Sequence, residues 1–156
     1  MLVNYTSLSN EAKVFLYPSS RKFYANELEE LHLKIETFLT NEIELNIAYK
    51  IAYNRFLVFF IDEQTAVSTQ IIDNLVSFIL QLEQDYEVTL LDKVNVCFKQ
   101  GEFVQYQDMK RFRELIKKKS ISKKTIVFDN FIQTKYDFEN NFEVLVVDSW
   151  LSHLFK

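Results

Sequence analysis

The stretch Ile47-Ala-Tyr-Lys-Ile-Ala-Tyr-Asn-Arg-Phe-Leu-Val-Phe-Phe-Ile61 decides how this chain folds. Ile47, Tyr49, Ile51 and Tyr53 alternate with Ala48, Lys50 and Ala52, the period of two expected of a half-buried strand. Asn54-Arg55 supplies a turn, and Phe56 to Ile61 is apolar without interruption, as in a central strand covered on both faces. The pair predicts a hairpin.

Working outward toward the N-terminus, Lys13 to Tyr17 is a strand closed by Pro18-Ser19-Ser20. Asn26, with Glu29 three residues on, has capping-box spacing, and Leu28, Leu31, Ile35, Phe38 and Leu39 then form one helical stripe. On the other side, Ser68 or Thr69 can cap a second helix, with Asp73 near its positive end and Ile72, Leu75, Val76, Ile79 and Leu82 inward. A strand from Lys93 to Lys99 turns at Gln100-Gly101, and Glu102 to Tyr106 returns. Asp108 caps a third helix with Met109, Phe112, Leu115 and Ile116 inward, ending at Lys117. Thr125 to Phe128 is a further strand and Thr134 to Phe142 a short helix. Ser149 opens a terminal segment carrying Trp150, Leu151, Leu154 and Phe155.

The order strand, helix, strand, strand, helix, strand predicts an α+β fold. Its expected form is an antiparallel sheet with a ferredoxin-like β-α-β-β-α-β core and a C-terminal β/α extension. With 156 residues, no repeat and no linker, residues 1–156 read as a single domain. The reading places the first and third strands as parallel central neighbours. The loops after Tyr17 and Ile61 then emerge at the same sheet edge.

Composition excludes several function classes. One glycine cannot build a glycine-rich phosphate loop, and one cysteine with two histidines leaves neither an internal disulfide nor a zinc set of usual spacing. A net charge of -4 argues against a general nucleic-acid binder, so no nucleic acid is expected as partner. The longest apolar run, Phe56 to Ile61, is far below the roughly 20 residues of a membrane span, so no membrane partner is expected either. Met1 to Ser7 lacks the basic and apolar regions of a secretory signal, and Cys97 sits in an alternating apolar run, so the expected location is cytoplasmic. No cofactor or metal is expected.

Several segments together resemble a known family. They are Val14-Phe-Leu-Tyr-Pro-Ser-Ser-Arg-Lys-Phe23, Asn54-Arg-Phe-Leu-Val58, Ile72-Asp73, Leu91-Asp-Lys-Val-Asn-Val96, Thr125-Ile-Val-Phe-Asp-Asn130 and Asp148-Ser-Trp150. The chain is similar over nearly its whole length to a family of small bacterial proteins, mainly from Bacteroidetes, often labelled "ABC transporter ATPase". The resemblance implies a cytosolic protein of this length. The label is not supported by the residues, because Gly101 is followed by Glu102 and no Walker A loop exists. Many similar members carry Ser-Gly-Cys-Ser-Ile-Asp before the second helix. Here Ser68-Thr-Gln-Ile-Ile-Asp73 puts Gln70 where that thiol would stand, so thiol chemistry does not carry over.

The candidate chemistry is sparse. Asp62-Glu63 at the end of the apolar strand fits a general base or metal ligand, or a solvated acidic loop. Asp73 fits a ligand contact or a helix-start carboxylate. Arg21 and Arg55, both beside turns, fit an anion clamp or surface ion pairs. His32 and His153 have no Cys, Ser or acid at diagnostic spacing. Lys117 to Lys124 holds five lysines in eight residues, the pattern of a solvated helix end or a polyanion contact. Trp150 and Phe155 fit either a partner surface or this protein's own core.

Two functional readings follow. The first is a non-enzymatic α+β binding or interaction module, with a protein partner or a homodimer. The second is a small enzyme or small-anion binder using Ser19, Ser20, Arg21, Asp62, Ser68, Thr69 and Asp73, which the expected topology brings to one edge.

Overall fold

The computed structural model describes residues 1–62 and 67–155. Strand β1 (Lys13–Pro18) leads into helix α1 (Ala25–Glu42), followed by the hairpin of β2 (Ile47–Ala52) and β3 (Phe56–Ile61). Helix α2 (Thr69–Tyr86) connects to a second hairpin, β4 (Val96–Gln100) and β5 (Phe103–Gln107). Helix α3 (Met109–Lys117), β6 (Ile126–Phe128), α4 (Lys135–Asn140), β7 (Glu143–Leu145) and two 3-10 turns complete the chain.

The fold is α+β, built on two antiparallel sheets with orders β1-β3-β2 and β5-β4-β6-β7. Phe56 to Ile61 lies at the centre of the first, every residue 1% exposed or less. Its alternation feeds two separate cores. Leu57, Phe59 and Ile61 meet Leu31, Ile35 and Leu39 of α1 and Leu75, Ile79 and Leu82 of α2. Phe56, Val58 and Phe60 face the other way, toward Cys97 and Phe128 of the second sheet and Phe142 behind them. A third cluster, with Val96, Phe98, Phe112, Val127 and Leu151, covers the far side of the second sheet. The layers therefore run helices, sheet, sheet, then α3 with the C-terminal turns.

Two topological expectations are corrected. β1 and β3 are antiparallel, Lys13 opposite Ile61 and Pro18 opposite Phe56. The helical crossover makes β1 and β2 parallel, and the tight hairpin then forces β3 to oppose both. β4 does not join the first sheet. The free edge of β1 is occupied by a later segment, where Val14 N–H donates to Gln133 O at 3.0 Å and Lys13 bridges Thr134. β4 also carries apolar side chains on both faces, Val96 and Phe98 on one and Cys97 on the other, and needs cover on each.

Local boundaries shift slightly. The β2–β3 turn is centred on Tyr53 and Asn54, both at φ 54, with Arg55 N–H closing onto Ala52 O at 3.0 Å. The β4–β5 turn is Gly101-Glu102, with Gly101 at φ 62, so the sole glycine meets the left-handed requirement of that turn. Helix α1 starts at Ala25, and the reaching-back carboxylate is Glu27, which accepts Tyr24 N–H at 2.8 Å. Asp73 lies in the second turn of α2, past the helix start. Among the described residues, no helix is long and apolar enough to cross a membrane.

Candidate functional site

The antiparallel β1–β3 pairing splits the predicted site residues into two groups at opposite ends of the first sheet. Six-residue strands put those ends about 17 Å apart. Asp62, Ser68, Thr69 and Asp73 belong to one end. Asp62 N–H donates to Asn46 O, Ser68 Oγ accepts Ile71 N–H as the α2 cap, and Asp73 is exposed. Glu63, paired with Asp62 in the sequence reading, lies outside the described residues.

Ser19, Ser20 and Arg21 belong to the other end, beside the C-terminus of α2. Ser19 is fully buried, and its N–H donates to Arg55 O at 3.1 Å. Ser20 exchanges two hydrogen bonds with Thr89: its N–H reaches Thr89 O, and its Oγ accepts Thr89 N–H at 3.0 Å. Phe23 N–H donates to Asn54 O at 2.7 Å. The loop after β1 is thus tied to both the β2–β3 turn and the segment leaving α2.

Arg21 is held from several sides. Nη1 and Nη2 donate to the two Glu27 carboxylate oxygens at 2.8 and 3.0 Å, and Nη2 also reaches Tyr86 O at 2.7 Å. Its guanidinium lies 4.5 Å from the Tyr24 ring centroid. The bidentate hydrogen bonding lowers the Glu27 carboxyl below its ordinary value and raises Arg21, with burial opposing both. An 18-residue α2 is about 27 Å long, so a side chain anchored at Tyr86 cannot reach Ser68. The expected meeting of Arg21 with the start of α2 is corrected on this geometry.

Arg55 lies beside that loop and is of a different kind. It is 8% exposed, and its Nη1 is buried with no hydrogen-bond partner. Burial lowers its affinity for a proton, and the groups acting against that are the Cys97 thiol and Tyr106, not a carboxylate. Burial in turn pushes the Cys97 thiol up to about 12. Tyr106 Oη accepts from Asn95 Nδ2 at 2.7 Å and lies 3.3 Å from Thr89 Oγ1, which fixes the wall around the guanidinium.

A cleft of about 600 Å3 opens here between the β2–β3 turn and the β4–β5 hairpin. Three cations line it, Arg21, Lys22 and Arg55, together with the rings of Tyr24, Tyr53 and Phe103 and the carboxylate of Glu102. A comparable cleft of about 660 Å3 runs along β2 past His32 and Tyr49, where His32 Nδ1 and Tyr49 Oη already pair at 2.6 Å. Only the first is lined by a residue with a buried unpartnered donor among the described residues.

The remaining candidates lie outside this cleft. The lysines from Lys117 to Lys124 are exposed around a turn anchored by the buried Ile121. Trp150 and Phe155 pack onto the third core cluster, and His153 sits exposed in the last 3-10 turn. Among the described residues, no three His, Cys, Asp or Glu side chains converge as a metal set. No local pattern marks Tyr24, Tyr106 and Phe103: Tyr24 sits at the start of α1 and the other two on β5, and only the fold brings these segments to Arg55. The sequence reading did single out Arg55, and an arginine abutting an uninterrupted apolar strand is the signal that marks a buried cation. Compared with known proteins, the chain matches no family model, no curated protein and no solved structure.

Proposed function

We propose that this chain is a non-enzymatic binding module that holds a small anion in the cleft between the β2–β3 turn and the β4–β5 hairpin. The observation that carries this reading is the buried Nη1 of Arg55, which has no partner in the protein. Burying a cation without counter-charge costs several kcal/mol, and an oxyanion accepting from that nitrogen would offset much of the cost. Arg21, committed to Glu27 and Tyr86, shapes the cleft and is not the ligand's primary donor. The module reading also agrees with the single glycine being engaged in a hairpin turn, which leaves no phosphate loop for ATP. A cytosolic, reducing setting suits Cys97, which is buried and unpaired.

Calorimetric titration with acetate and with inorganic phosphate tests the proposal. Saturable binding of at least one anion is expected, lost in Arg55→Gln and retained when Asp73 at the far end is changed to Asn. Equal binding by the wild type and Arg55→Gln refutes it.

A further inference from the structure

We infer that the ligand of this cleft is a planar aromatic ring carrying a single carboxylate; the inference rests on the anion reading above and specifies its chemistry. The charge of the ligand follows from the lining. Arg21 is neutralised by Glu27, which leaves Lys22 and Arg55 against Glu102, a surplus of one positive charge. A monoanion balances that surplus, whereas a phosphate dianion would overshoot it beside Glu102. A carboxylate is also flat and small, which suits a guanidinium packed against Cys97 and Tyr106. Carboxylate–guanidinium hydrogen bonds are among the stronger ones available in proteins.

The ring follows from the aromatic rim. Phe103, the first residue of β5, is 69% exposed beside the cleft, an unusual position for a phenylalanine in a chain that buries most of its others. Tyr24 is 52% exposed, with its ring fixed by the immobilised Arg21 guanidinium. Tyr53 is held by a hydrogen bond to Glu143 at 2.6 Å and by ring contacts to Phe56 and Phe128. Rings fixed in this way stack on a ligand without first losing freedom of their own. A cleft of about 600 Å3 lies within the range of small-molecule sites.

The test titrates the full chain with four probes: acetate, phenylacetate, phenylacetamide and phenyl phosphate. Phenylacetate is expected to bind about tenfold more tightly than acetate, the gain that aromatic contact and ring burial supply. It should also exceed phenylacetamide, which lacks the charge, and phenyl phosphate, which has too much. Phe103→Ala removes an exposed side chain and leaves the fold intact, and should weaken phenylacetate about fivefold with acetate unchanged. If phenylacetate binds no better than acetate, or Phe103→Ala changes nothing, the ring assignment fails while the anion reading stands. If phenyl phosphate binds more tightly than phenylacetate, the carboxylate assignment fails. If none of the anions binds, the anion reading falls and takes this inference with it.

Discussion

Arg21 is expected to act as a lock on the fold, and its replacement by methionine measures that role. The substitution keeps the aliphatic stem and removes the two bonds to Glu27, the bond to Tyr86 O and the bond to Lys22 O. The Arg21 and Glu27 side chains are 30% and 17% exposed, so the pair is partly screened. Exposed pairs contribute about 0.2–1 kcal/mol and buried hydrogen bonds to charged groups about 1.5–3, which places this one near 1 kcal/mol. The cation at the C-terminus of α2 adds roughly 0.5–1 kcal/mol. Arg21→Met should therefore cost about 2 kcal/mol, or about 4–8 °C in Tm for a domain of this size. Combined with Glu27→Gln in a double-mutant cycle, the coupling should be about 1 kcal/mol. The pH dependence has a definite sign. The Glu27 carboxyl is lowered in the folded state, so its stabilisation is present above its unfolded value and is lost as the pH falls through the folded one. The stability gap between wild type and Arg21→Met should hold at pH 7 and narrow below about pH 4. Urea unfolding followed by circular dichroism across that range reads both quantities. A coupling below about 0.3 kcal/mol, or a gap that stays constant into acid, refutes the lock.

Val58→Asp places a carboxylate in a fully buried position between the sheets and should abolish cooperative unfolding, whereas Lys50→Ala on the exposed side of the same hairpin should cost under about 1 kcal/mol. Soluble, cooperatively melting Val58→Asp protein would count against the core assignment. Glu87 caps α2 at φ 53, a left-handed conformation that costs an L-residue about 1 kcal/mol, so Glu87→Gly should raise stability by about 0.5–1 kcal/mol in chemical denaturation. The Cys97 thiol, fully buried and raised to about 12, should resist a thiol-specific disulfide reagent at pH 8 until the chain unfolds; prompt reaction of native protein would show that the inter-sheet layer opens readily.

The features legible in the sequence are those set by neighbours along the chain. Ser68, Asp108 and Thr134 cap their helices because a short polar side chain reaches a backbone N–H three residues on, and that geometry needs nothing distant. The hairpin from Ile47 to Ile61 was visible for the same reason, although its turn moved to Tyr53-Asn54. Asparagine tolerates a left-handed backbone, but tyrosine gives no such sign. The start of α1 was hidden because Tyr24 is not a capping residue type; Glu27 supplies the bond from inside the helix. The placement of β4 was not readable at all. It depends on Gln133 reaching Val14 across most of the chain, and no local pattern encodes which segment claims a free strand edge.

The unusual composition and the position of Arg55 have one cause. Two sheets stacked between helical layers need three apolar interfaces, and the middle one buries Phe56, Val58, Phe60 and Cys97 completely. Phenylalanine fills it: Phe56 contacts Phe128 at 4.9 Å and Phe142 at 5.0 Å, while Phe60 contacts Phe138 at 5.2 Å and Tyr5 at 4.9 Å. Three of these pairs pack edge-to-face and the Phe56–Phe128 pair is tilted at 40°, and together they set the spacing between the sheets. Where the ring-filled layer ends, at the β2–β3 turn, its last neighbour is Arg55, one residue before Phe56. An arginine placed there cannot extend into solvent without leaving the layer open, nor find a carboxylate among phenylalanines. Its charge is thus confined beside the cleft with one buried donor unused, and that donor is supplied by the packing of the two sheets, not by a motif.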